Sequence, residues 1–176
     1  MEVSGVGIER PAKPIKTLRF SNDKSIIQLD KLEYYEEIVA VKRYPITEKD
    51  KELIEIGLQV LAKNFDDGVY NHTVGCAVLC KNGNIYNGVN CDGIHGSCAE
   101  YITIGIAISN GEREFDTIVA VHEKHLNCVI PPCGNCRQML FEYCPDVKVI
   151  VNDENGELIK VTARDLLPFA WEPVIC

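Results

Sequence analysis

The chain has 176 residues, enough for one domain to bury a continuous core without added cross-links. Its 46% hydrophobic and 25% charged residues exclude a mainly disordered protein, and its formal net charge of −8 disfavours polyphosphate or anionic lipid as a partner. The first residues lack a basic-then-apolar leader pattern and no apolar run approaches the roughly 20 residues of a membrane span, so the expectation is a cytoplasmic protein with reduced thiols despite nine cysteines.

Residues 1–45 are read as an N-terminal extension of unknown role, with Pro11 and Pro14 early and strand-like runs at Ser25–Leu29 and Ile38–Val41. Its scattered cations Arg10, Lys13, Lys16 and Arg19 suit a solvated arm better than a nucleic-acid patch. Residues 46–176 form the main domain. Thr47 and Asp50 resemble a capping box, and Ile54, Leu58, Leu61 and Phe65 recur at helical spacing. Val74–Lys81 and Asn84–Val89 flank Asn82-Gly83, which predicts a β-hairpin.

Ala99–Ser109 is apolar nearly all round and is predicted to be a helix buried in the domain, ended by Asn110-Gly111. Thr117–Val121 reads as a strand, Asn135–Tyr143 as a helix, and Val147–Val151 as a further strand. The segment 152–156 is too short for a crossover, so Leu158–Val161 should return antiparallel, followed by a short helix over Thr162–Leu167. The expectation is an α/β fold with a mixed sheet.

Cys98-Ala99-Glu100 opens one predicted helix, and Pro132-Cys133-Gly134-Asn135-Cys136 opens the next. A helix N-terminus favours the thiolate form that binds metal, and three protein ligands leave zinc a fourth position for water. Zn2+ held by Cys98, Cys133 and Cys136 would make that water acidic, with Glu100 as the proton shuttle. Two other uses stay open: a structural zinc, needing Cys91, His95, Cys128 or Cys144 as fourth ligand, or a redox pair at Cys133 and Cys136. The remaining cysteines suit small buried hydrophobes, and His72, His122 and His125 read as ordinary loop or strand-end residues.

These residues resemble the cytidine deaminase superfamily, and more closely its blasticidin-S deaminase and free-nucleoside branch. The matching stretches are Val74-Gly75-Cys76-Ala77-Val78-Leu79, Gly88-Val89-Asn90, Cys98-Ala99-Glu100, Pro132-Cys133-Gly134-Asn135-Cys136-Arg137-Gln138 and Arg164-Asp165-Leu166-Leu167-Pro168, with Trp171 beyond. The resemblance implies a three-layer α/β/α fold with a five-stranded mixed sheet whose last strand is antiparallel, and a homotetramer. It places Asn90, Asp92, Ala99 and Trp171 at the substrate, with Asp92 one methylene shorter than the usual glutamate. Tyr101 stands where three-cysteine members often carry an arginine, and Arg137 is the candidate to support the thiolates instead.

The expected activity is zinc-dependent hydrolytic deamination of a free cytosine nucleoside, with release of ammonia. Blasticidin S or another aminated nucleoside or heterocycle is the alternative within the class. A zinc-stabilised binding protein without turnover is the alternative outside it, and a nucleic-acid substrate is not expected.

Overall fold

The computed structural model describes residues 41–171, so the strand-like runs of the first 40 residues lie outside the described part. The compact unit begins at Val41. Tyr44 exchanges two main-chain hydrogen bonds with Lys160, at 2.8 and 3.0 Å, which tie the chain before the first helix to the sheet.

In chain order the elements are α1 (Glu48–Asn64), β1 (Gly75–Cys80), β2 (Ile85–Val89), α2 (Ala99–Ser109), β3 (Phe115–Val121), β4 (Val129–Ile130), α3 (Gly134–Tyr143), β5 (Lys148–Asn152) and β6 (Leu158–Thr162). The capping box forms as the sequence predicts, with Thr47 at the cap and Asp50 at the third helical position. Gly83 takes φ +94 in the hairpin turn, which joins β1 to β2 in the register Gly75↔Val89 to Leu79↔Ile85.

The sheet order is β2-β1-β3-β5-β6, with β4 paired to the end of β3. Among the described residues only β3 and β5 run parallel, joined through α3, and the short 152–156 turn makes β6 antiparallel to β5. Strand alternation sends side chains to two apolar layers. Cys76, Val78, Ile118, Val149 and Val151 face the layer that holds Ala99, Ile104, Met139 and Leu140 of α2 and α3. Ala77, Val119, Val121 and Ile150 face Leu53, Ile54 and Leu61 of α1. This is the expected mixed α/β sheet flanked by helices. Each of these fully buried Val, Leu or Ile side chains contributes about 1.5–3 kcal/mol.

Two glycines set the helix distances. A Cβ on Gly75 would lie 2.3 Å from the Gly57 carbonyl oxygen, so its absence lets α1 close onto β1. A Cβ on Gly88 would lie 3.0 Å from Ile102 Cγ2, so β2 can receive α2, the helix that begins at Cys98.

Three local expectations change. α2 is not buried all round: Thr103, Ile104 and Ala107 are buried, whereas Gly105, Ile106 and Ser109 are exposed. The short strand β4 joins the sheet beyond the five expected, and ends before Pro131 and Pro132, which have no N–H to continue a ladder. The helix expected over Thr162–Leu167 is one 3₁₀ turn, Arg164–Leu166, because the residue before Pro168 disfavours helical ψ. Among the described residues no helix is long and apolar enough to cross a membrane.

Candidate active site

Cys98 is the N-cap of α2 and Cys133 the N-cap of α3, both with extended backbone and neither side chain capping its helix. The sulfurs are therefore free to turn toward one another. Cys136, in the first turn of α3, joins them, and the three Sγ atoms lie within 4.8 Å of one another. Cys98 Sγ and Cys133 Sγ are 3.6 Å apart, close to the roughly 3.8 Å edge of a tetrahedron built on zinc–sulfur bonds of about 2.3 Å.

The electrostatics fit a cation. Burial pushes the Cys136 thiol far up, reinforced by Glu100 and the other two thiols, and burial also raises Cys98. At Cys133 burial acts upward too, but hydrogen bonds from the first turn of α3 and from the other thiols outweigh it, and the thiol ends below its ordinary value. Three sulfurs and a carboxylate cannot all ionise at this spacing without a positive charge among them. The donor set and its spacing suit Zn2+, with Cys98, Cys133 and Cys136 as ligands.

Glu100 is the second residue of α2 and only 5% exposed. Burial raises its carboxyl above the usual range, while its own N–H and the Cys136 side chain pull the other way. A carboxyl that holds a proton more readily than a surface glutamate suits a group that must both take and give one.

Glu100, Cys98, Cys133 and the fully buried Ala99 line a cleft of about 420 Å³, within the size range of small-molecule sites. Asn90, Asp92 and Val74 also line it. Asn90 Oδ1 accepts from the Val74 N–H at 2.9 Å, and Asn90 Nδ2 donates to both Asp92 carboxylate oxygens, at 3.0 and 3.1 Å. The Asp92 carboxylate also accepts from the His72 N–H at 2.8 Å.

A family model for the cytidine and deoxycytidylate deaminase zinc-binding region matches residues 47–152. The chain belongs to this family. Blasticidin-S deaminase of Bacillus cereus is 36% identical over 140 residues, covering 74% of this chain and 98% of that protein. Cytidine deaminase of Halalkalibacterium halodurans is 36% identical over 102 residues, covering 56% and 76%. The crystal structure of cytidine deaminase from Burkholderia pseudomallei superposes with a TM-score of 0.59 at 31% identity, over 72% of this chain and all of that one. This deaminase is accordingly a zinc-dependent hydrolytic enzyme acting on nucleosides.

The other candidate positions divide. Among the described residues no fourth cysteine or histidine joins the three sulfurs: Cys91, His95, Cys128 and Cys144 all stand outside the cluster, which leaves a structural zinc without its fourth ligand. Arg137 donates from Nε to the Pro132 carbonyl at 2.8 Å and from Nη1 to that of Leu166 at 3.4 Å, bracing the loop before α3. Trp171 is 65% exposed, not a core tryptophan, and lies outside the cleft lining, its main chain held by the Gln138 amide at 2.8 and 3.1 Å.

Two contributors were missed in the sequence. Tyr101 donates its hydroxyl to Asn135 Oδ1 at 3.1 Å and so ties together the first turns of α2 and α3, which carry the metal ligands. His72 stands behind Asn90 and Asp92. Neither has a motif, since both depend on segments brought together by the fold.

Proposed function

We propose that this deaminase acts on a free cytosine nucleoside, converting cytidine or deoxycytidine to the uracil nucleoside and ammonia. The observation that supports this most is the shared cleft, lined by the buried Glu100 carboxyl, by Cys98 and Cys133 and by the hydrogen-bonded Asn90–Asp92 pair. Zinc, when bound, supplies Lewis acidity that makes a water a usable nucleophile near neutral pH. Glu100 would take one proton from that water and give it to the ring nitrogen, then carry the water's second proton to the exocyclic amine, which leaves as ammonia. Asn90 and Asp92 read hydroxyl donors of the sugar, and Ala99 packs against the base. Trp171 and Arg137 stand farther from the chemistry, the first as an outer substrate contact and the second as support for the Cys133 loop.

A second reading is deamination of blasticidin S. It is favoured by the Bacillus cereus enzyme, which this chain matches along 98% of that protein's length. The deciding measurement is ammonia release from zinc-loaded protein with cytidine, deoxycytidine and blasticidin S in parallel. Glu100→Gln should keep its zinc and lose activity by at least about 10²-fold, the lower end of what a positioned acid–base group contributes. Turnover unchanged in that variant would remove Glu100 from the mechanism. No turnover of any of the three would point to another aminated nucleoside or heterocycle as the substrate.

We further propose a homotetramer, in which the side of α2 that carries exposed Ile106 would be covered by a neighbouring copy. The acidic net charge of −8 supports a partner list without nucleic acid or membrane. Three thiols needed as metal ligands support a reducing compartment, the cytoplasm.

A further inference from the structure

We infer that His72 is a positioning residue for substrate specificity, its left-handed backbone and its imidazole together holding Asn90 and Asp92 at the cleft. This rests on the reading that Asn90 and Asp92 touch the substrate. His72 has φ +56, a conformation uncommon for any residue bearing a side chain. It follows a loop closed by paired main-chain hydrogen bonds of 3.1 Å between Asp66 and Asn71, with Tyr70 also at φ +56. The His72 N–H donates to Asp92 Oδ2, 2.8 Å away, and the left-handed φ sets where the imidazole stands relative to that N–H.

The ring completes the clamp. His72 Nδ1 lies 2.8 Å from the main-chain oxygen of Asn90. A carbonyl only accepts, so Nδ1 carries the hydrogen and donates. Asn90 is thereby fixed through its carbonyl by His72, through Oδ1 by Val74, and through Nδ2 to Asp92. Val74, Asn90 and Asp92 line the cleft while His72 does not, so its influence passes through them. Asp92 is exposed, and without the clamp its carboxylate would sample several rotamers that a substrate would have to order on binding. Clamped, it presents a fixed acceptor to a hydroxyl or ammonium donor of the substrate. A loss of this clamp weakens binding more than it slows the chemistry at Glu100.

The test is steady-state kinetics on zinc-loaded full-length protein with whichever of cytidine and blasticidin S it turns over faster. His72→Gly keeps the left-handed backbone and its N–H but removes the imidazole; KM should rise about fivefold, the worth of one ordinary hydrogen bond, with kcat and zinc content held within about twofold. His72→Asn tolerates the left-handed conformation and carries an amide nitrogen near the position of the imidazole Nδ1, so it should return KM to within about twofold of native. Asp92→Ala and Asn90→Ala should each raise KM about tenfold, and adding His72→Gly to Asn90→Ala should change KM by less than about twofold, because the imidazole acts through Asn90.

Additive effects, a change confined to kcat, or no rescue by asparagine would overturn the role of His72 while leaving Asp92 in place. An unchanged KM in Asp92→Ala, or turnover of neither substrate, would instead remove the reading beneath it, and the inference with it.

Discussion

Asp50 and Lys160, 110 positions apart, form an ion pair on the α1 side of the sheet, and Asp50→Asn tests what it is worth. Lys160 Nζ lies 2.5 Å from Asp50 Oδ2, and the two side chains are 8% and 3% exposed. The same carboxylate oxygen accepts from the Thr47 N–H and hydroxyl, both at 2.7 Å. Asparagine retains an acceptor for the Thr47 cap and deletes only the charge. That leaves a buried ammonium without its counter-charge, a loss of about 3–5 kcal/mol. For a chain of this length that corresponds to a fall in Tm of about 6–20 °C. The assay is thermal and urea unfolding at fixed free zinc, since bound metal adds its own stabilisation. Adding Lys160→Met should recover most of the loss by removing the stranded charge, and kcat/KM should stay native because the pair lies across the sheet from Glu100. A loss below about 1 kcal/mol in Asp50→Asn would refute the reasoning, showing the ammonium to be solvated in place.

Cys136→Ala deletes an inner ligand and should lower zinc affinity by more than the about 10–100-fold typical of losing an outer partner, whereas Tyr101→Phe should fall at the low end of that range; a colorimetric chelator competition reads both. Stripping zinc with a chelator should lower Tm and re-addition should restore it, while a Tm indifferent to zinc would mean that the three sulfurs do not help hold the fold. Burial pushes Cys80 up to about 11 and Cys144 up to about 12, so brief alkylation at pH 8 should label exposed Cys91 well before either, read by mass spectrometry. Because the folded state holds these two protons more tightly than the unfolded chain, their contribution to stability is full below about pH 8.5 and should fall as pH rises toward 11; a urea midpoint that does not fall over that interval would contradict it.

The framework was legible where local chemistry decides structure. Thr47 and Asp50 marked the start of α1, Asn82-Gly83 the first hairpin, and the brevity of 152–156 the antiparallel last strand. Cys98, Cys133 and Cys136 stood out because helix N-termini and zinc both favour thiolates, and the structure gathers them. Composition could not say which side of α2 stays uncovered, since Ile106 and Ile104 look alike in sequence but one is exposed and the other buried. The two-residue β4 has too few positions to show a period. The Asp50–Lys160 pair and the Tyr101–Asn135 bond join distant segments and carry no local signature. His72 looked like an ordinary loop histidine because its role depends on a backbone dihedral that no neighbouring residue advertises.

Both metal-binding turns begin helices, of 11 and 10 residues, and this closes a charge balance. Three thiolates around a divalent ion leave one net negative charge. Each helix N-terminus presents about half a positive charge, so two of them cancel it to first order. Arg137 can therefore spend its guanidinium on the Pro132 and Leu166 carbonyls. The charge that remains beside the sulfurs is then the Glu100 carboxyl's own, and the offset to the thiolates is carried by peptide groups, which no side-chain substitution removes.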